Sequence, residues 1–315
     1  GKAGMTEVAT FLFSAIRVST PLVFAAIAAV ITQQAGLLNM AVESMMLSAA
    51  LAGVMISGAT QSAILGVLGG VFFAVLIAMV IWYSAFILKC DLYLVSISMN
   101  AGLVGGTVFV MYLATKQKAN TIGFVMSQTV GTLDIPILKD IPFFGKVLSG
   151  QNLMTYVAVV AVFVTWFLIY KTKMGLRIRS VGENPGAAES VGISPVRLYG
   201  ISFAWSGVMA GLGGVYMSMG LMSYFARDMV AGRGMIGVSA MNVANASPVG
   251  SALFAMLFGI SDTIANYMQI LGLQPQLIAA FPYAATIVLM ALLAKIQHHR
   301  YQKYLAKRLQ SNSQP

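Results

Sequence analysis

Apolar stretches long enough to cross a membrane recur along almost the whole chain. A helix needs about 20 mostly apolar residues to span a hydrocarbon core of about 30 Å, and residues 153–170 form one such stretch without a single charge. Only 9% of the 315 residues are charged, whereas soluble domains carry roughly 25%. Because so few charges cannot cover a surface exposed to water, the sequence predicts an all-α, polytopic membrane protein.

Hydropathy predicts about nine transmembrane helices, with eight to ten as the range. They lie at residues 9–31, 40–57, 62–84, 93–114, 152–170, 200–222, 232–246, 249–267 and 277–295. The segment 232–246 is short and rich in Gly, Ser and Asn, so a broken or re-entrant helix is the alternative there. We expect one transmembrane domain over residues 1–296, followed by a basic tail at 297–315.

Positive charge is concentrated in two short segments next to apolar spans. They hold Lys171, Lys173, Arg177, Arg179 and Arg197 in the first, and Lys295, Arg300, Lys303, Lys307 and Arg308 in the second. Such clusters mark cytoplasmic loops of membrane proteins. We therefore expect the loop 171–199 and the C-terminal tail inside, the loop 116–150 and the N-terminus outside, and a multi-pass protein of a bacterial cytoplasmic (inner) membrane.

Residue types that support catalysis or metal binding are scarce. The chain has one cysteine, Cys90, and its two histidines, His298 and His299, lie in the basic tail. It also lacks the GxxxxGK[ST] loop that cradles nucleotide phosphates. We expect no catalytic residue, no bound metal and no cofactor in this chain, and any ATP hydrolysis must come from another polypeptide.

A short helix is predicted inside the loop 171–199. Asn184 is a favoured N-cap residue, Pro185 suits the first helical position, and Gly192 suits the left-handed position that ends a helix. The helix, residues 185–191, would be about 10 Å long. A helix that short is marginal in water and needs a surface to pack against. A partner protein and the lipid headgroups both remain open on this chemistry alone.

The sequence around this helix resembles a known transporter family. Residues 182–193 read GENPGAAESVGI, with GLRIRSV before them and SGVMAGLGGVYMSMG after them. Three further stretches agree in order and spacing: AGLLNMAVESMML at 35–47, VSISMNAGLVGGTVF at 95–109 and DMVAGRGMIGVSA at 228–240. They are similar to the permease subunits of ABC importers for branched-chain amino acids, simple sugars and nucleosides, and most similar to the nucleoside (guanosine-type) permeases.

The resemblance implies a transmembrane domain like that of type II ABC importers, in which the short cytoplasmic helix couples the permease to the ATPase. Carried over to this chain, the coupling residues are Arg177, Arg179, Gly182, Glu183, Asn184, Ala187, Ala188 and Gly192. The implied partners are ABC ATPase subunits that bind ATP and Mg²⁺, a second permease that is homologous or identical, and an extracellular substrate-binding lipoprotein. The substrate implied is a nucleoside, with simple sugars and branched-chain amino acids as alternatives.

Polar and ionisable residues inside the spans are candidates for the substrate pathway, because such groups are costly in lipid. The candidates of this kind are Asn39, Glu43, Asn100, Arg233 and Asp262. Phe225 is a further candidate, because its ring offers a flat apolar face to the base of a nucleoside. Pairing among Glu43, Arg233 and Asp262 would offset the cost of their charges. The same carboxylates support a competing hypothesis, a stand-alone secondary transporter or channel that uses Glu43 or Asp262 as its ion site.

Overall fold

The computed structural model describes residues 2–133, 147, 149–270, 291 and 295, and these fold almost entirely into helices. The chain divides into two compact units, Gly1–Ile260 and Ser261–Pro315. Ten α-helices are described in the part of the chain that the structure covers. They are α1 (Lys2–Gln34), α2 (Val42–Thr60), α3 (Ala63–Trp82), α4 (Leu92–Thr115), α5 (Leu153–Lys171), α6 (Lys173–Glu183), α7 (Pro185–Ser190), α8 (Pro195–Val215), α9 (Arg233–Val243) and α10 (Pro248–Ile270).

Two helices continue as π-helical turns, α3 through Tyr83–Ile87 and α8 through Tyr216–Leu221. A small antiparallel sheet pairs β1 (Thr132–Leu133) with β2 (Gln151–Asn152). This sheet ties the described part of the long loop after α4 to the start of α5. Most of the rest of that loop, residues 134–146 and 148, lies outside the described residues.

Seven helices are long and apolar enough to cross a membrane. They are Glu7–Gln34, Val42–Thr60, Ala63–Ile87, Leu92–Thr115, Leu153–Lys171, Pro195–Leu221 and Pro248–Met268, counted over the described residues only. They coincide with seven of the nine predicted spans, which confirms the all-α polytopic prediction. The last predicted span, 277–295, and the basic tail lie outside the described residues, apart from positions 291 and 295.

Contacts between helix ends define two ends of the first unit. At one end, which we call the α7 end, the Trp82 indole at the end of α3 donates to the carbonyl of Val196 in α8 at 2.9 Å. At the opposite end, the Gln61 end, the turn between α2 and α3 meets the loop after α4, where Gln128 donates its amide to Gln61 Oε1 at 3.0 Å.

The predicted span 232–246 is a half-length helix. α9 has 11 residues, so it is about 16 Å long and covers roughly half of a hydrocarbon core. The preceding residues contact the loop at the Gln61 end, where Arg227 N donates to Ala119 O at 2.8 Å. After α9, the carbonyl of Ala246 accepts a hydrogen bond from Gln34 at the α7 end. The segment therefore connects the two ends as a broken span, which is the alternative that its short length and its Gly, Ser and Asn residues indicated.

Glycine allows the central helices to approach one another closely. A Cβ atom on Gly207 would lie 2.8 Å from Val75 Cα, and one on Gly211 would lie 2.9 Å from Val71 Cα. Both separations are too short for a side chain, so α8 contacts the backbone of α3 directly. This packing is typical of helices in lipid, where association depends on close contact and not on the exclusion of water.

Burial differs strongly between the spans. The most apolar window of α1 is 83% buried, whereas that of α4 is only 17% buried. Helices α1, α2 and α8 thus form the core of the unit. Most of α4 faces outward, towards lipid or a protein partner.

Candidate functional site

The short helix α7 is built by its own residues. Asn184 Oδ1 accepts a hydrogen bond from Ala187 N at 3.0 Å, and Pro185 occupies the first helical position. Gly192 adopts a φ of +81° just after the helix, a conformation that glycine adopts at no steric cost. The structure places the helix at Pro185–Ser190, one residue shorter than predicted, and confirms its cap, its first residue and its terminator.

A second helix, α6, precedes α7 and was not predicted from the sequence. Thr172 caps it, because its hydroxyl accepts from Gly175 N at 3.1 Å. Gly175, Ile178 and Val181 recur every three residues and are buried on one face. This spacing indicates an amphipathic helix. The helix was missed because the basic residues of this segment were interpreted only as a sign of a cytoplasmic loop. α6 and α7 together form what we call the coupling segment, residues 173–190.

The coupling segment has an inner and an outer side. Ala188 is buried in a small cluster with Ile31 of α1, Ala35 just after α1, Val181 of α6 and Leu198 of α8. The inner side therefore attaches the segment to the bundle.

Gly182 lies directly against α1. A Cβ on Gly182 would collide with the carbonyl oxygen of Gln34 at the end of α1. The predicted coupling residues that remain exposed are Arg177, Glu183, Asn184, Ala187 and Gly192, with Arg179 partly buried. The outer side is a basic, capped surface at the α7 end.

Glu43 forms the second feature of the site. It begins α2 and is only 8% exposed. Its carboxylate accepts hydrogen bonds from Gly232 N at 2.7 Å and Gly234 N at 2.8 Å, at the start of α9. Gly234 allows this approach, since a Cβ there would lie 2.6 Å from Glu43 N.

The charge of Glu43 is thus compensated by backbone amides and the positive end of a helix. The pairing among Glu43, Arg233 and Asp262 that the sequence indicates stays a prediction. The guanidinium of Arg233 donates to the carbonyls of Met229 at 3.4 Å and Val230 at 3.2 Å. Asp262 lies on α10 in the second unit, partly buried. Sequence patterns identify charged side chains but do not reveal which backbone amides are unsatisfied, so Gly232 and Gly234 were not predicted as partners of Glu43.

Two of the predicted pathway asparagines stabilise the non-helical link between α1 and α2. Asn39 donates to Ser206 Oγ at 3.1 Å and accepts from Ala41 N at 2.9 Å. Asn100 of α4 accepts from Ser44 N at 3.1 Å and donates to Met40 O at 2.8 Å. Both amides satisfy backbone groups that no helix satisfies.

The predicted pathway residue Phe225 is fully buried. Its N–H donates to Thr121 Oγ1 at 3.1 Å, and its carbonyl accepts from Thr121 N at 3.0 Å. It anchors the non-helical half of the broken span at the Gln61 end. Glu43 and Phe225 therefore hold the broken span, while Asn39 and Asn100 hold the link between α1 and α2. Contact of any of the four with a substrate stays a prediction.

Gln34 links the coupling segment to the broken span. Its side-chain amide donates to Ala246 O, just after α9, at 2.9 Å, while its own carbonyl lies against Gly182 of α6. α9 is consequently held by Gln34 near its C-terminal end and by Glu43 at its N-terminal end. This contact was not predicted. Its signal in the sequence is the pair of polar residues, Gln33 and Gln34, that ends an apolar helix.

A polar cavity of about 700 Å³ opens at the α7 end between these elements. Its lining includes Gln33, Tyr170, Arg179, Glu183, Asn242 and Asn245. It lies between the coupling segment and the C-terminal half of the broken span. A movement of the coupling segment would therefore change the shape of this cavity directly.

Within the described residues, seven helices long and apolar enough to cross a membrane, a broken span and a capped basic segment exposed at one end are typical of a multi-pass membrane transport subunit. The chain belongs to the family described as the permease component of the branched-chain amino acid transport system, whose model matches residues 11–294. It is accordingly the permease of an ABC importer, a transmembrane subunit without catalytic activity that works with ATPase and binding-protein partners. The stand-alone carrier hypothesis is thereby set aside.

Relatives that match most of the chain support this assignment. The chain is 29% identical to the nucleoside ABC transporter permease protein NupC of Lactococcus lactis, over 87% of this chain and 89% of the relative. It is 27% identical to the guanosine ABC transporter permease protein NupQ of Bacillus subtilis, over 86% and 87%. It is also 27% identical to the glucose ABC transporter permease protein TsgB13 of Haloferax volcanii, over 82% and 68%.

A solved structure shares the fold. PsaBC from Streptococcus pneumoniae, solved in complex with a Fab, aligns with a TM-score of 0.52 at 12% identity and covers 94% of this chain and 95% of that one. At this identity the likeness concerns the fold alone, and it agrees with a transmembrane domain of the type II importer kind.

Proposed function

We propose that this chain translocates a nucleoside, delivered by an extracellular binding lipoprotein, across a bacterial cytoplasmic membrane. The energy comes from the hydrolysis of ATP, which a separate ATPase binds together with Mg²⁺. This ATPase docks on the coupling segment. A second permease, homologous or identical, completes the pathway. The nucleoside assignment rests on the similarity to NupC and NupQ over nearly the whole chain.

The observation that carries the coupling role is the placement of α7. It is capped at its start by Asn184 and ended by Gly192, it presents Ala187 to the outside, and its Ala188 is packed into the bundle. A rigid helix attached in this way transmits a push from a docked protein to Gln34 and α9. A mobile loop on headgroups would not need the buried attachment.

The orientation follows from charge. Lys171, Lys173, Arg177, Arg179 and Arg197 all lie in or beside the coupling segment, and basic residues favour the cytoplasmic side. The α7 end would then face the ATPase, and the Gln61 end would face the binding protein. Labelling single cysteines at Gln61 and Ala187 with an impermeant reagent on intact cells tests this, and modification of Ala187→Cys alone would reverse the orientation.

The coupling proposal is tested with Ala187→Arg and its matched control Ala187→Ser. Ala187 is exposed, so an arginine there should leave folding and membrane insertion intact while it blocks a close-fitting cleft. We expect nucleoside uptake to vanish with Ala187→Arg and to persist with Ala187→Ser. Undiminished uptake in Ala187→Arg would contradict docking at α7.

A sugar is the second candidate substrate, because TsgB13, a glucose permease, is as similar in identity as NupQ. Branched-chain amino acids follow from the family description. Uptake of radiolabelled guanosine, measured with excess unlabelled glucose or leucine as competitor, separates the three. Uptake of radiolabelled glucose and of radiolabelled leucine is measured in the same way, and uptake of glucose without uptake of guanosine would move the assignment to sugars.

A further inference from the structure

The half-length helix α9 has two different faces. Gly234, Gly237, Val238 and Met241 are buried, and a Cβ on Gly237 would meet the backbone of α1. The opposite face carries Met235, Ser239 and Asn242 at helical spacing. Met235 is 37% exposed, Ser239 is partly exposed and Asn242 is exposed. One side of α9 is therefore packed, and the other is an open stripe with two polar side chains.

The depth of this stripe excludes a purely lipid-facing role. α9 begins at Glu43, between the two ends of the unit, and ends beside Gln34 at the α7 end. Non-helical backbone precedes it at membrane depth, and such backbone is tolerated only within protein or beside a water-filled cavity. The hydroxyl of Ser239 is satisfied by Met235 O at 3.0 Å, whereas the exposed Asn242 amide requires a polar surrounding. The open face is thus suited to water and to a polar solute.

The stripe leads into the polar cavity at the α7 end, because Asn242 lines that cavity together with Asn245 and Gln33. Its volume of about 700 Å³ falls within the range of ligand pockets, roughly 300–1,000 Å³. Asparagine, glutamine and arginine are the side chains that recognise the edges of nucleobases through paired hydrogen bonds.

Two atoms around this cavity lack hydrogen-bond partners among the described residues. They are Gln33 Oε1, an acceptor, and Arg179 Nε, a donor, and both are shielded from water in this conformation. A buried polar atom without a partner is costly, so rotation of these side chains towards a ligand with a donor and an acceptor would be favoured. The edge of a purine offers both. Arg179 also lies 5.2 Å from the centre of the Tyr170 ring, which places a flat cationic and aromatic surface at the same site.

We propose that the open face of α9, formed by Met235, Ser239 and Asn242, together with the cavity at the α7 end, binds the transported solute on its way out of the permease. The ligand class is a neutral purine ribonucleoside, recognised by amides and a guanidinium. The inference rests on the proposed nucleoside function and adds the contact residues to it. Arg179 and Glu183 both line the cavity, so their opposite charges favour a neutral ligand over a charged one.

Cysteine accessibility in the assembled transporter tests the proposal. The exposed Cys90 is replaced by serine, uptake by this background is checked, and Ser239→Cys is introduced. Val160→Cys on α5, where the native side chain is 58% exposed among apolar residues, serves as the lipid-facing control. Open membrane fragments, accessible from both sides, are treated with a charged thiol reagent in the presence of guanosine, glucose or leucine, and guanosine uptake is measured in parallel in sealed cells.

We expect Ser239→Cys to react much faster than Val160→Cys. Guanosine at about ten times its dissociation constant should slow that reaction by roughly tenfold, because occupied sites are protected in proportion to ligand binding. Glucose and leucine should have no effect.

Each of the other outcomes would overturn either the solute site or the nucleoside assignment. If Ser239→Cys reacts no faster than Val160→Cys, the face contacts lipid or another subunit and the solute site is wrong. If it reacts rapidly but no solute slows it while guanosine uptake is intact, the solute site is wrong and the proposed function stands. If glucose or leucine protects and guanosine is not transported, the nucleoside assignment falls in both proposals.

Discussion

The surroundings of Glu43 and the coupling segment differ in how their polar groups are satisfied. Glu43 and Asn39 are buried and bonded within the chain, to Gly232, Gly234, Ala41 and Ser206. The coupling segment instead presents exposed polar and small residues on its outer side. The first region is therefore complete within this subunit, whereas the second presents a polar surface that is open to a partner.

This difference separates two kinds of functional residue. A change in the buried region should lower the stability of the permease itself. A change on the outer side of α7 should leave stability intact and reduce transport. The combined effects on stability and transport should decrease from the charged contacts of Glu43, through the packing of α6 and the cap of α7, to the single neutral hydrogen bond of Gln34.

Replacing Glu43 by alanine should cause the largest loss. It leaves Gly232 N and Gly234 N buried without their acceptor, and hydrogen bonds to a charged group contribute about 1.5–3 kcal/mol each. We expect the unfolding free energy to fall by about 2–4 kcal/mol. The melting temperature of the purified permease in detergent measures this.

The exposed Glu189 provides the control for that experiment. Glu189→Ala removes a carboxylate of the same kind from α7 and should leave the melting temperature unchanged. Equal melting temperatures for Glu43→Ala and the native chain would show that the carboxylate does not hold α9.

The sequence predicted the seven described spans and the cap of α7 because both depend on local chemistry. Span length is set by the thickness of the hydrocarbon core, and the cap is set by Asn184, Pro185 and Gly192, which are adjacent in sequence. The role of Glu43 was not predictable in the same way. Its partners Gly232 and Gly234 are 189 and 191 residues away, and backbone amides carry no sequence signal.

The half-length of α9 was only partly visible in the sequence. Gly232 has a φ of +82° and stands directly before the helix, and Ala231 and Asp228 also adopt positive φ. Glycine indicates such a turn, but alanine and aspartate do not reveal it. Hydropathy carries no signal for backbone conformation, so it placed a span at 232–246 without showing the turn that stands directly before the helix.

Gly182→Val should give the next largest effect. A side chain there would meet the Gln34 carbonyl at the end of α1, and overpacking of this kind costs about 1–3 kcal/mol. Displacing α6 from α1 should also reduce uptake strongly. The matched control is Gly186→Val, because a Cβ at the exposed Gly186 would lie 3.6 Å from its nearest neighbour, Asn184 Oδ1. If both variants melt at the same temperature, α6 is not fixed by its contact with α1.

Asn184→Ala should affect transport more than stability. It removes the acceptor for Ala187 N at the start of α7, and loss of such a cap costs about 1 kcal/mol of helix stability. Because α7 lies at the surface, we expect local fraying with little change in the melting temperature. Uptake and crosslinking from Ala187→Cys to the ATPase should fall, and Asn184→Asp, which keeps a capping oxygen, should restore both. Normal crosslinking in Asn184→Ala would separate the cap from coupling.

Gln34 and Gln33 provide the finest test of the difference between the two regions. Gln34 donates to Ala246 O, while Gln33 Oε1 is buried without a partner among the described residues. Gln34→Leu should therefore lose about 0.5–1.5 kcal/mol, the net contribution of a hydrogen bond between neutral groups, and uptake should decrease because α9 is no longer tied to α1. Gln33→Leu removes an unsatisfied acceptor, so stability should hold or rise slightly.

The two leucines differ by one position on the same helix and add the same apolar volume. A higher melting temperature for Gln34→Leu than for Gln33→Leu would place the attachment of α9 elsewhere and remove the proposed route from the coupling segment to the broken span.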